Sequence, residues 1–313
     1  MLIPFKLTPI FKEYVWGGKK LRPEAEITAE AWIVHEENIV ADGPYMGKTL
    51  AKVVDLEGTA LLGSQVVKFK GRRFPLLIKL LDCADWLSLQ VHPNNEQAKK
   101  LAGPTQNGKT EAWYVIDAEE DAQLISGLKP NVTRQDIQAA AGKKEILDLV
   151  ERRSVKTGDS IFIAPGTIHA LGPGLLIYEV QQNSDITYRV YDWDRPMDGT
   201  RKLHIDESIE VLNPNERGTV KPIDEKLSSN PISTLTTCSY FSLTLLQGNK
   251  SVVKVNTMED SFAVITSIDS NLIIKGSDWS IKLNQLETII IPAECPPFDV
   301  VFEQKGKALL ARG

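Results

Sequence analysis

The sequence predicts a mainly β protein, a sandwich or barrel of short strands with a small helical insertion. Three observations point there. Apolar residues fall in short runs that partly alternate with polar ones. Gly and Pro clusters punctuate the runs, as they do in all-β folds. One strand pattern occurs twice, as "GDSIFIAPG" (158–166) and "LETIIIPAE" (286–294): an acidic residue, Ser or Thr, an apolar-ended triplet and a nearby proline.

In chain order, the expected strands are "AEAWIVHEE" (29–37), "PLLIKLLDC" (75–83), "WLSLQVH" (86–92), "EAWYVIDA" (111–118), "DSIFIAP" (159–165) and "GLLIYEVQQ" (174–182). A helix is expected over 94–101, where Asn94 can cap "NEQAKKL". The stretch 131–153 predicts two short helices, with Thr133 and Asp136 ahead of an alanine-rich run and a break near Gly142. "HIDESIEVLN" (204–213) predicts a further helix ending at Pro214. The polar, proline-punctuated segment 218–235 reads as a linker, after which "YFSLTLL", "FAVITSI", "NLIIKG" and "ETIIIPA" resume the strand pattern. The second copy of the repeat carries no histidine after its proline, so any chemistry belongs to the first. The division is therefore a catalytic domain over 1–217, with the helical segment inserted, and a linker with a second strand domain over 218–313.

A chain of 313 residues buries a sizeable core in one large domain or two. Apolar content of 42% and charged content of 25% are ordinary for a soluble globular protein. The formal charge of −5 argues against a general nucleic-acid binder, and leaves room for a local basic pocket that takes a small anion. Cys83, Cys238 and Cys295 are odd in number and widely spaced, which suits free thiols in a reducing compartment. The N-terminus lacks the pattern of a signal peptide, and no apolar run approaches the roughly 20 residues that span a bilayer. These features place the protein in the cytoplasm, with no membrane or nucleic-acid partner expected.

Four side chains form a candidate constellation. Gln90 and His92 are two apart on a strand and share a face. Glu111 opens the strand in "GKTEAWYV", and His169 follows the turn "APGTIHALG", shaped by Pro165 and Gly166. Two imidazoles, a carboxylate and an amide oxygen make a ligand set for a divalent metal. Two His and one carboxylate suit catalytic zinc with an open position, and equally a ferrous facial triad. Taken singly, each of these residues is more commonly structural, and their long spacings form no local motif.

Several segments in order carry more weight than any one. "YVWGG", "PLLIKLLDCADWLSLQVHPN", "GKTEAWYVI" and "APGTIHALGPGLLIYEVQQNSDITYRVYDWDR" resemble the type I mannose-6-phosphate isomerases in their short bacterial form, through about residue 215 and more weakly to "KALLARG". The resemblance implies two cupin-like jelly-roll barrels. It implies one zinc ion per chain, held by His92, Glu111 and His169, with Gln90 matching a fourth ligand of longer members. It further implies Arg189 as the catalytic arginine, although "TYRVYDWDR" departs from the arginine-glycine continuation of longer members. The implied reaction is the reversible conversion of mannose 6-phosphate to fructose 6-phosphate through a cis-enediol(ate).

That reaction needs a base to remove a carbon-bound proton and a positive charge to stabilise the oxyanion. Arg189, always protonated, suits charge stabilisation, with phosphate contact as its second role. Lys109 shares the face of Glu111 and is a candidate for sugar or phosphate contact; Lys79 is a weaker one. Glu179, in an otherwise apolar strand, is a candidate base beside a metal-bound water or a lysine. Trp16 and Trp32 read as core, and His35 and His204 as structural or surface residues. Two other classes stay open to the residues themselves: another metalloenzyme on the same ligand set, such as an iron-dependent dioxygenase, and a non-catalytic sugar-phosphate-binding regulator.

Overall fold

In this computed structural model residues 2–25, 27–196, 201–222, 230–257 and 259–313 are described, and the strands around the constellation pair antiparallel, Glu111–Ala118 with Leu175–Gln182 and Leu89–Val91 with both His169–Leu171 and Tyr188–Tyr191. The core of the expected linker, 223–229, lies outside the described residues. The chain forms two compact units: Phe11–Ala31 with Leu80–Pro222, and Met1–Ile10 with Trp32–Lys79 and Ile223–Gly313. The first closes a few residues beyond the boundary expected at 217/218, while Trp32–Lys79 groups with the C-terminal half rather than with its sequence neighbours.

The Phe11–Ala31/Leu80–Pro222 unit carries the constellation. One sheet runs in the order Tyr188–Tyr191, Leu89–Val91, His169–Leu171, Gln123–Leu128, Val150–Ser154. A second runs through Thr219–Lys221, Ser160–Ile163, Glu111–Ala118, Leu175–Gln182 and Leu76–Cys83, and on to Glu30–Val34 and Ile10–Lys12; the chain crosses between units within the last three strands. Leu124 and Leu171 of the first sheet join Trp113, Val115, Ile161, Ile163 and Ile177 of the second in one buried cluster, so the inner faces pack on each other. The outer face of the first sheet is apolar as well. Leu89, Val91, Ile125 and Ala170 meet Ile137, Ala140 and Ile146 of the helical insertion and Val211 near Pro214. Covered faces on both sides explain why these strands read as near-continuous apolar runs. The expected mainly β, cupin-like class is found, with facing sheets that stay open rather than closing into barrels.

The helix signals are realised. Asn94 caps Asn95–Ala102, with Gln97 reaching back to its backbone, and Thr133 does the same with Asp136 for Arg134–Ala140. Beyond Gly142 a 3-10 turn, Lys144–Asp148, replaces the second α-helix, and Val150–Ser154, expected as helix, is an alternating edge strand. Ile205–Val211 is helical as expected.

In the other unit, the six-stranded sheet Phe5–Lys6, Thr288–Ile291, Ala263–Ser267, Gly306–Arg312, Ser242–Gly248, Ile232–Thr237 faces the four-stranded sheet Ser251–Val255, Phe298–Phe302, Leu272–Lys275, Ser280–Leu283. Ile265, Ile289, Ile291 and Leu310 meet Ile274, Val300 and Phe302 between them. The repeat is realised as one alternating element: Ile161 and Ile163 enter one core, Ile289 and Ile291 the other. Helices Leu50–Glu57, Thr59–Leu62 and Ser64–Lys70 were not expected.

Candidate functional site

Three chain segments meet through the backbone just after Leu89–Val91. The His92 carbonyl accepts the Gly166 N–H at 2.9 Å, and the Pro93 carbonyl accepts the Lys109 N–H at 3.0 Å. The turn that carries His169 and the strand that carries Glu111 are thus both hung on the residues beside His92. Gly166 makes its turn with φ +85, and Gly108 passes so close to Asn94 that an added Cβ would lie 2.5 Å from that backbone. Gln182 completes the bracket. Its Oε1 accepts the Thr110 N–H and its Nε2 donates to Asn95 Oδ1, each at 3.0 Å, while the same Oδ1 accepts the Gly108 N–H at 2.8 Å.

Side chains are aimed by register. Arg189 lies opposite Gln90, and Gln90 opposite His169, so the three form a row across adjacent strands on one face. On the other sheet, Glu111 lies opposite Gln181, and Trp113 opposite Glu179. Glu111 Oε1 is 3.1 Å from His169 Nε2; its Oε2 is 3.4 Å from His92 Nε2 and 3.3 Å from Lys109 Nζ. The ligand atoms of His92, Glu111 and His169 lie within 4.8 Å of one another, and all three residues are buried. Among the described residues, no other group of three His, Cys, Asp or Glu is so disposed.

The electrostatics are those of a cation site. His169 gives its Nδ1 hydrogen to the Thr167 carbonyl at 2.9 Å, which leaves a lone pair on Nε2 facing the carboxylate. Burial, and then the Lys109 charge, push the His92 imidazole down to about 3, so that ring is neutral. Burial alone would neutralise Glu111, but the Lys109 ammonium beside it holds its carboxyl well below the usual range. Both His92 nitrogens and both Glu111 oxygens are buried without a hydrogen bond. Two imidazoles and an ionised carboxylate, with their ligand atoms brought to one point, fit a divalent metal. Gln90 is brought to the site through its Nε2, 3.2 Å from His169 Nε2, while its Oε1 accepts from Ser88 Oγ at 3.3 Å. The amide must turn over before its oxygen can ligate.

The remaining candidates are distributed around this point. Glu179 is buried and accepts the Trp113 indole N–H at 2.8 Å; the Trp113 ring in turn stands edge-on to His169, centroids 5.5 Å apart. Arg189 is half-buried, with its Nε buried and without a hydrogen bond. Lys79 is buried with its ammonium 5.3 Å from the centre of the Trp32 ring, in the other unit. Trp16 packs in the core as expected, and His35 lies against Trp32. Sequence reasoning missed Gln182, Asn95 and Thr167, which brace the ligands. It also missed that His204 bonds the backbone of Arg189. None of these carries a local spacing signal.

Comparison with known proteins follows the same direction. The family "Phosphomannose isomerase type I, catalytic domain" matches residues 4–122. The putative mannose-6-phosphate isomerase YvyI of Bacillus subtilis is 34% identical over 310 residues, 95% of each chain. Mannose-6-phosphate isomerase ManA of the same organism is 39% identical over 254 residues, covering 77% of this chain and 78% of that one. Among solved structures, the mannose 6-phosphate isomerase from Bacillus subtilis superposes with a TM-score of 0.86 at 31% identity, over 99% of both chains.

Proposed function

This chain belongs to the type I phosphomannose isomerase family, and from that premise we propose that it interconverts mannose 6-phosphate and fructose 6-phosphate at the His92–Glu111–His169 site with one bound zinc ion. The observation that carries the reading is the convergence of two imidazole nitrogens and a carboxylate, all buried, with ligand atoms within 4.8 Å of one another. When bound, the ion supplies positive charge beside the sugar oxygens O1 and O2, where negative charge develops.

The protein's own groups do the rest. Glu179, on the same sheet face as Glu111, takes the C2 proton and returns it to C1, while the O2 hydroxyl proton passes to O1; the Trp113 indole holds the Glu179 carboxylate in place. Arg189 supplies a permanent positive charge to the enediolate, with the phosphate as its second target. Lys109 keeps Glu111 ionised and contacts a sugar oxygen; Lys79, buried over an indole, is the weaker candidate for phosphate. Burial of His92, Lys109, Glu111, His169 and Glu179 keeps bulk water away from them. A cytoplasmic setting agrees with three free cysteines, and among the described residues no helix is long and apolar enough to cross a membrane.

The test is a coupled assay on mannose 6-phosphate, with and without chelator, beside elemental analysis. Zinc near one per chain, loss of turnover on chelation and recovery on adding zinc are expected. Full turnover in metal-free protein would refute the metal site, and absence of turnover in the zinc-loaded protein would refute the substrate.

A further inference from the structure

We propose that His204 is a positioning residue for Arg189, holding the backbone from which that guanidinium reaches the site; the proposal rests on the isomerase reading. Among the described residues, Tyr188–Tyr191 is the edge strand of its sheet, paired on one side only. The outward N–H and C=O of Arg189 would otherwise face solvent. His204 takes both. Its backbone N–H donates to the Arg189 carbonyl at 2.9 Å, and its Nδ1 accepts the Arg189 N–H at 3.3 Å. One residue thereby stands in for a missing neighbouring strand, at the position directly opposite Gln90.

Two further observations say why the clamp bears on the side chain. The register shifts between Arg189 and Tyr191, and a bulge there re-aims the side chain beside it. The Arg189 Nε is buried without a hydrogen bond, so no bond at that atom fixes the side chain, and the backbone it leaves from helps to set its direction. His204 itself is fixed at the start of the helix Ile205–Val211 and packs its ring near Tyr188, centroids 5.9 Å apart. The ring bonds Arg189 through Nδ1, so its proton sits on Nε2.

That geometry makes the test specific. His204→Asn sets an amide oxygen where Nδ1 was and keeps the acceptor; asparagine is also favoured at a helix N-cap, so this variant folds. His204→Gln sets its polar group near the Nε2 position and loses the acceptor. With zinc content and urea unfolding measured on both, His204→Gln is expected to lose about ten- to a hundredfold in kcat with a smaller change in KM, as a misaimed group does. His204→Asn is expected to stay close to wild type. In an Arg189→Ala background the two His204 variants are expected to be equally active, because the residue they position is gone. Equal kcat in the two single variants, or a His204→Gln loss that persists undiminished without Arg189, overturns the proposal. An active wild type with those outcomes removes this inference alone, whereas a zinc-loaded wild type that does not turn over mannose 6-phosphate removes the isomerase reading and this inference with it.

Discussion

His169 Nε2 and Glu111 Oε1 face each other at 3.1 Å, out of water, while His169 Nδ1 is bonded to the Thr167 carbonyl at 2.9 Å. An imidazole nitrogen and a carboxylate oxygen aimed at one point by their surroundings suit a shared cation. The pairing is therefore informative beyond the identity of the two residues, and it leads to the first expectation.

Glu111→Gln keeps the shape of the side chain and removes its charge. The wild type is expected to gain about 2.7 kcal/mol of stability at a zinc concentration about 100 times its dissociation constant. For a unit of this size that is a rise in melting temperature of about 5–10 °C. The variant is expected to show no zinc-dependent rise and to copurify with no zinc. An undiminished thermal shift in Glu111→Gln would place the ion elsewhere.

Glu179→Gln separates chemistry from binding. The amide oxygen still accepts the Trp113 indole N–H, which is 2.8 Å from the carboxylate, so the local packing is kept. An amide takes up no proton at neutral pH. Turnover is expected to fall by about 10²- to 10⁴-fold, with KM and zinc content little changed. Exchange of the C2 hydrogen with solvent deuterium, followed by NMR, is expected to stop. Exchange at the wild-type rate would assign the proton transfer to another group.

Gln182 is the brace of the segment that presents Lys109 and Glu111. Its replacement by alanine strips the acceptor from the buried Thr110 N–H and a donor from Asn95 Oδ1. A buried backbone donor left unpaired costs about 1–3 kcal/mol, readable by urea unfolding. The strand start is expected to loosen as well, so chelator should strip the ion faster from Gln182→Ala than from wild type. Unchanged stability with an unchanged rate of metal loss would show that the backbone pairing of Glu111–Ala118 suffices without it.

How much of this was legible depended on whether a residue's role is local. The strands 75–83, 111–118 and 174–182 announced themselves because most of their positions are buried on both faces, which favours near-continuous apolar runs. Asn94 and Thr133 are caps whose partners stand three residues away. Gln90 was visible beside His92 by alternation, but what aims it is its register against His169 and Arg189, a cross-strand relation. The same limit hid the His204 clamp and the Gln182–Asn95 brace. "VERR" (150–153) closes the stretch expected as helix, because its charges read as a solvated helix face; pairing with Gln123–Leu128 makes Val150–Ser154 a strand. Helices Leu50–Glu57 and Ser64–Lys70 bury few positions each, Leu50, Val53 and Val54 in the first and Val66 in the second, too narrow a stripe to stand out.

Gly166 offers a last test, because it links backbone conformation to the ligand set. Its φ of +85 lies in the left-handed region, and a Cβ there would meet Asn213 Cβ and the Val211 carbonyl oxygen at 3.1 Å. Gly166→Ala is therefore strained by about 1–2 kcal/mol from the backbone alone, before any crowding. Gly71, with φ +80 and nothing within 4 Å of the added Cβ, isolates the backbone part. Both alanine variants are expected to lose stability in urea. Only Gly166→Ala is expected to weaken zinc binding and lower kcat as well, because the bond from its N–H to the His92 carbonyl ties the turn before His169 to the His92 segment. Equal zinc affinity in the two variants would mean that the turn is tolerant and that the imidazoles find the ion without it.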